Sequence, residues 1–153
     1  MHALESRVPP VAVAFIMAVV MALIAWAIPA SGFVFPGREP ATAVFVVAGV
    51  AASLLGVRSF RRARTTVNPL RSSTASSLVV SGIYSVTRNP MYLGFLFILS
   101  AWAIFLSNAI AFLLLPAFAV FMNRFQIEPE ERALTALFGQ EFMAYQRRVR
   151  KWL

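Results

Sequence analysis

The stretch Met91–Asn123, MYLGFLFILSAWAIFLSNAIAFLLLPAFAVFMN, decides the fold. It holds no charged side chain, and its only polar break is Ser107-Asn108. At 1.5 Å rise per residue the run is too long for one helical crossing of a hydrocarbon core about 30 Å thick. A tight helical hairpin satisfies both facts, with one span over 91–106 and the next over 109–125. Pro116 predicts a kink in the second of these, because proline removes a helical hydrogen bond and crowds the preceding turn.

Working outward, two more apolar stretches precede the hairpin. Val8 to Gly37 carries no charge, and its apolar centre, 11–28, is long enough to cross. The alternative is a signal peptide with Arg7 as its basic region. Such cores usually run about 7–15 residues, and the Ile28-Pro29-Ala30 end makes a poor cleavage site. Arg38-Glu39 then interrupts, and 40–57 forms a further span opened by Pro40, which suits a first helical position. Gly49, Ala52, Ser53 and Gly56 put small side chains on one face of it. That favours close helix–helix approach in lipid, although an Ala-rich helix acquires such a face by composition alone.

The whole-chain arithmetic agrees with a membrane protein. Among 153 residues, 59% are hydrophobic and 13% charged, and mean hydropathy is +0.74. A soluble domain has about 25% charged residues, so this chain has too little charge to coat a surface in water. The fold class expected is an all-α integral membrane protein, one domain over 1–153, with four transmembrane helices. Several chemistries are excluded. There is no cysteine, so disulfides, thiolate metal sites and cysteine nucleophiles are absent, and no metal is expected. The only histidine is His2, which disfavours a His-ligated metal or a Ser-His-Asp triad. All six acids are Glu, so acid–base work falls to Glu, Tyr, Lys or Arg.

The net charge of +8 is placed asymmetrically. Arg58, Arg61, Arg62, Arg64, Arg71 and Arg88 lie in the loop 58–90, and Arg147, Arg148, Arg150 and Lys151 lie near the end. The opposite side has only Arg38 and the uncharged Ser107-Asn108 turn. The positive-inside rule therefore places both termini and the long loop in the cytoplasm, with the protein multi-pass in the inner (plasma) membrane. Anionic lipid headgroups, rather than nucleic acid, are the expected partner of the basic face. The segment 128–152 opens with Glu128-Pro129-Glu130-Glu131, a helix first turn. Leu134, Leu137, Phe138, Phe142, Tyr145, Val149 and Trp152 then recur at helical spacing. This reads as an amphipathic cytoplasmic helix, with Gly139 a candidate break. A plain interfacial anchor accounts for most of it, but not for three Glu beside an anionic surface.

Two clusters carry the candidate chemistry. In the first, Ser81–Gly94, Asn89 as N-cap and Pro90 at the first position start the third span. A helix N-terminus favours a carboxylate or phosphate, and Tyr84 and Tyr92 add aromatic faces and hydroxyls. The second is Arg124 with Glu128, Glu130 and Glu131. The hairpin brings this end beside the start of the third span, so Asn89, Tyr92, Glu130 and Arg124 are expected near one membrane-level pocket. An anion site beside carboxylates suits a zwitterionic amino-acid ligand. Helix capping, an aromatic belt and an exposed acid pair opposing a basic loop are the structural alternatives.

The run Ser-Gly-Ile-Tyr-Ser-Val-Thr-Arg-Asn-Pro-Met-Tyr-Leu-Gly (81–94), a hydrophobic hairpin, and the run beginning Glu-Pro-Glu-Glu-Arg (128–152) resemble, in order and spacing, the signature of membrane methyltransferases related to isoprenylcysteine carboxyl methyltransferase and phospholipid methyltransferases. The resemblance covers about 78–153. It implies a cofactor, S-adenosylmethionine, leaving as S-adenosylhomocysteine, and a lipophilic or lipidated acceptor arriving from the bilayer, with the active site facing the cytoplasm. Carried over residue by residue, it implies cofactor contacts at Leu78, Val79, Tyr84, Asn89, Pro90, Met91, Tyr92 and Glu130. Arg124 and Glu131 are the candidates for a direct part in the reaction. Asn89 stands where the family often has His. Asn keeps a donor and an acceptor but does not titrate near neutrality, so a positioning role is expected. Gln126 stands where isoprenylcysteine enzymes carry an Arg, so the resemblance extends to the cofactor and not to the acceptor. Two other readings compete. A membrane reductase of related fold would use NADPH, and a non-enzymatic scaffold or complex subunit would bind no cofactor.

Overall fold

The computed structural model describes residues 8–34, 36–63 and 77–153. Arg64, Arg71 and most of the turn-rich stretch 58–77 lie outside the described residues, as does His2. Among the described residues the regular structure is helical. The helices are α1 (Pro10–Ala27), α2 (Arg38–Arg62), α3 (Pro90–Leu106), α4 (Ala109–Phe112), α5 (Leu114–Met122) and α6 (Glu128–Arg148). Short 3-10 turns cover Pro29–Ser31 and Gly82–Ser85, and one π-helical turn, Asn123–Ile127, joins α5 to α6. Helices α1 and α2 and the helical run Ala109–Arg148 are each long and apolar enough to cross a membrane. Helix α3 is apolar throughout but has 17 residues, about 26 Å of helix.

Helix α3 is the hub, packed against α2, α1, α4 and α5, while α2 rests on α3 and on the 82–85 turn. At its tightest the α2–α3 contact brings backbone against backbone, with the Phe45 and Phe97 rings meeting edge-on farther along. Gly49, Ala52 and Gly56 are the buried residues of α2, so the face of small side chains is the one turned to α3. A Cβ on Gly94 would lie 2.7 Å from the Gly49 carbonyl oxygen and would overlap Ser53 Oγ. Gly94→Ala is therefore expected to force α2 and α3 apart. The expected cost is about 1–3 kcal/mol, read as a lower melting temperature in detergent. Adding Ser53→Gly should not restore it, because the Gly49 carbonyl remains in the way.

The outward faces are apolar. Phe15 is 68% exposed and Val47 67% exposed, with Val11, Val44 and Leu54 alike. Their contiguity along α1 and α2 is what a lipid solvent accommodates and water does not.

The Ser107-Asn108 break is a true hairpin turn. Ser107 takes a left-handed conformation (φ 48°) and its carbonyl accepts from Phe33 N at 2.9 Å. Asn108 Oδ1 caps α4 by accepting from Ile110 N and Ala111 N, and its Nδ2 donates to Ile28 O at 3.1 Å. One buried side chain thus starts a helix and ties the hairpin to the end of α1. The interruption expected from Pro116 falls at Leu113, between α4 and α5. Pro116 has no N–H for the carbonyl four residues back, at Phe112, so the ladder parts just after that residue.

Two departures shape the other end of the molecule. Gly139 breaks α6 with φ 49° and ψ −121°, a conformation open to glycine. The helix expected over 128–152 stops at Arg148. Val149 is extended (φ −120°, ψ 133°), and the segment after it runs beside residues 87–89, with a parallel bridge between Thr87 and Arg150.

Candidate functional site

The site forms where the start of α3, the start of α6 and the segment after α6 meet. Its centre is a hydrogen bond from Tyr92 Oη to Glu130 Oε1. Tyr92 is buried in the main core cluster beside Met122 and Ile127. Its position two residues into α3 aims its hydroxyl at the first turn of α6. Glu130 reaches that hydroxyl because the π turn 123–127 carries the chain from the hairpin into α6 without a loop. Burial pushes the Glu130 carboxyl up to about 8, with Glu131 adding to the rise and the Tyr92 bond opposing it. A carboxyl so placed gains strongly from a cation brought to it.

Around this pair lies a second, apolar cluster. Phe142, Tyr145 and Val149 are buried with Leu78, Val80, Leu134 and Phe138 packed on them. Tyr145 Oη donates to the Tyr84 carbonyl at 2.6 Å, and the Tyr84 ring meets Phe60 of α2 edge-on. Burial raises both phenols above their ordinary range, Tyr84 with help from Tyr145 and Glu130, Tyr145 against the lowering effect of Arg88 and Arg148. Both therefore stay neutral.

Third comes an ionic latch. Arg88 Nη2 sits 3.0 Å from Glu131 Oε1, and Lys151 Nζ sits 3.6 Å from Glu131 Oε2. Arg88 also donates from Nη1 to Gln146 O (3.3 Å) and from its backbone N to Arg150 O (3.0 Å). One guanidinium thereby joins the start of α3 to both ends of α6. On the outer side of Glu131 a shallow open cleft of about 400 Å³ is lined by Glu128, Glu131, Arg132, Thr135 and Gln146.

The structure brings most of the residues singled out in the sequence to this end of the bundle. Val79, Tyr84, Pro90 and Tyr92 are buried there, and Leu78 and Met91 are partly buried. Asn89 precedes α3 but does not cap it with its side chain. Its Nδ2 instead donates to Lys151 O at 2.9 Å. Arg124 is not brought to Tyr92 and Glu130. It turns outward and pairs with Glu128 at 2.8 Å, one turn along the same helix. Glu131 is held by Arg88 and Lys151. Gln126 is fully buried in the π turn, where its Nε2 donates to Val8 O at 2.8 Å. The sequence reading did not anticipate Thr87, Lys151 and Trp152 as site residues. Thr87 Oγ1 accepts from Asn89 N (3.2 Å), and Trp152 Nε1 donates to Asn123 Oδ1 (3.1 Å). The available signal was the opposite charge of Arg88 and Glu131 in separated segments.

Residues 40–141 match the family model described as phospholipid methyltransferase, a match that takes in α2 from its third residue on, the whole hairpin, Tyr92 and Glu130. The chain belongs to the phospholipid methyltransferase family. Among its relatives, this family member is 34% identical over 91 residues to protein-S-isoprenylcysteine O-methyltransferase B of Arabidopsis thaliana, covering 58% of this chain and 45% of the plant protein. It thus spans about half the length of that relative. It is 44% identical over 63 residues to an uncharacterized protein of Haemophilus influenzae, covering 41% of this chain and all of that protein. No solved structure matches it.

Proposed function

We propose that this protein transfers the methyl group of S-adenosylmethionine to a lipophilic acceptor drawn from the bilayer, at the cytoplasmic face of the inner membrane. The observation that carries the reading is the Tyr92–Glu130 hydrogen bond. It joins the two motifs, 38 residues apart in sequence, whose order and spacing suggested the family. The residues suit such a cofactor. Glu130 is a buried carboxyl that a cation would return to its charged form. Tyr84 and Tyr92 offer neutral rings, while Val79 and Leu78 offer apolar walls.

When bound, S-adenosylmethionine supplies an activated methyl group on a sulfonium. The chain's task is then orientation and exclusion of water. Glu130 would hold the amino group of the cofactor, Asn89, Pro90 and Met91 would frame it at the start of α3, and Tyr92, which donates to Glu130, would fix the carboxylate. Arg124 and Glu131 are committed to ion pairs with Glu128 and with Arg88 and Lys151. This reading leaves them a structural part rather than a direct one.

The orientation follows from charge. Arg58, Arg61 and Arg62 end α2, whose Phe60 touches Tyr84, and Arg88, Arg147, Arg148, Arg150 and Lys151 surround the same end of the bundle. The positive-inside rule puts that end in the cytoplasm, against anionic headgroups. The plant relative, a protein-S-isoprenylcysteine O-methyltransferase, is in keeping with a lipophilic acceptor.

The test is methyl transfer itself. Membranes containing the protein, given S-adenosylmethionine with a tritiated methyl, should pass label into the organic-soluble fraction. Membranes with Glu130→Ala or Asn89→Ala should pass much less. Equal labelling by wild type and both variants would remove this site from the reaction. A total lack of labelling would turn the search toward NADPH chemistry or a scaffold.

A further inference from the structure

The segment Val149–Trp152 runs beside Thr87–Asn89, bonds Asn89, and packs on the clusters that hold Leu78 and Tyr92, three of the residues to which the proposed function assigns the cofactor. Four kinds of contact hold it. The Arg150 carbonyl accepts from Arg88 N at 3.0 Å. The Lys151 carbonyl accepts from Asn89 Nδ2 at 2.9 Å and from Thr87 Oγ1 at 3.4 Å. Lys151 Nζ stands 3.6 Å from Glu131, and Trp152 Nε1 donates to Asn123 Oδ1 at 3.1 Å. Helix α6 ends just before this segment, so no helical ladder holds it in place.

These contacts compete with a ligand. Asn89 commits an amide N–H to the Lys151 carbonyl, and Tyr92 and Glu130 are bonded to each other. Pro90, Tyr84 and Tyr92 are already buried. A molecule that bonds the Asn89 amide and touches these side chains must displace protein from them. Helix α3 is locked by its close contact with α2, and the start of α6 continues from the buried π turn. The strap after α6 is held by a few hydrogen bonds, one long ion pair and the packing of Val149 and Trp152 alone, with no helical ladder, which makes it the element that yields at least cost.

Resting on the cofactor role proposed above, we propose that Val149–Trp152 is a gate over the cofactor pocket, and that release of the Lys151 carbonyl from Asn89 is the step that admits S-adenosylmethionine and lets S-adenosylhomocysteine leave. Re-docking of Lys151 on Glu131 and of Trp152 on Asn123 then closes the pocket around the bound molecule.

Two measurements test the gate. The wild-type protein is labelled with 5-fluorotryptophan in nanodiscs, and the Trp152 signal is assigned with Trp152→Phe. The Trp152 resonance should show microsecond-to-millisecond exchange that saturating S-adenosylhomocysteine suppresses, while Trp26 on α1 stays unchanged. A single, non-exchanging Trp152 signal, with calorimetry on the same sample showing that S-adenosylhomocysteine binds, would overturn the gate and leave the cofactor site standing. Absence of binding would instead remove the cofactor site and the gate with it. The chain has no cysteine of its own, so Thr87→Cys with Arg150→Cys staples the bridged pair cleanly. Oxidised, this variant should bind and release S-adenosylhomocysteine at least tenfold more slowly than when reduced. Equal rates in the two redox states, with the disulfide verified by mass, would contradict the gate.

Discussion

Glu130→Gln is expected to weaken binding of S-adenosylmethionine roughly 10- to 100-fold, the worth of about 1.5–3 kcal/mol for a hydrogen bond to a charged group. The substitution keeps the shape and the acceptor oxygen for Tyr92 but removes the charge that the cofactor's amino group meets. The pH profile separates this cause from a loss of packing. In the folded protein burial pushes Glu130 up to about 8. A group whose folded value is raised stabilises the fold fully below its unfolded value, and that contribution is lost as pH rises through the folded one. The protein without cofactor should therefore lose stability as pH rises from about 4.5 toward 8. Cofactor binding should run the other way, because the cation prefers the carboxylate. It should strengthen by up to about tenfold per pH unit on approach to 8, then fall again as the α-amino group loses its own proton in about the same range. Glu130→Gln should flatten the rising limb and the stability slope together. Calorimetry and thermal melts across pH 5–9 measure both. A wild-type affinity independent of pH would count against a charged contact at Glu130.

Gly139→Ala should be damaging although it adds a single methyl group outside the membrane-spanning helices. The backbone there has φ 49° and ψ −121°, and nothing lies within 4 Å of an added Cβ. The cost is therefore conformational, not steric, at about 1–3 kcal/mol for a residue forced into a sparsely allowed region. The chain's cheaper response is to straighten α6, which swings its second half away. Tyr145 then leaves the Tyr84 carbonyl and Gln146 leaves Arg88. The expected result is a lower melting temperature together with weakened binding of S-adenosylhomocysteine. Unchanged values for both would show that the kink does not position the site.

Local chemistry explains what was readable in the sequence. The chargeless run with one polar break could fold in few ways, and Asn108 carries the cap that such a break needs. Gly49, Ala52 and Gly56 were compatible with a close helix contact, which composition alone could also have produced, and Gly139 with a break, which the structure shows. Asn89-Pro90 marked the start of α3. What stayed hidden depends on partners far along the chain. The turn of the Asn89 amide toward Lys151 rather than the helix end follows from where residues 149–152 lie, and no local pattern encodes it. The same holds for Arg88 with Glu131 and for Gln126 with Val8. Trp152 stands in register with the apolar face of a helix, and that pattern alone predicts it as the last helical residue. In the structure it belongs to an extended segment and packs on the main core. The π turn at 123–127 has no signature in composition. Glu128 and Glu130 do not share one pocket because residues two apart on a helix point to opposite sides, so Glu130 faces Tyr92 while Glu128 faces outward with Arg124.

The most direct test of the account is calorimetric titration of S-adenosylmethionine and S-adenosylhomocysteine into the purified protein in nanodiscs, with Asn89→Ala and Glu130→Ala beside the wild type. Saturable binding of both ligands to the wild type, strongly reduced in both folded variants, is the result predicted. A folded wild type that binds neither ligand would contradict the methyltransferase mechanism set out for the Tyr92–Glu130 site.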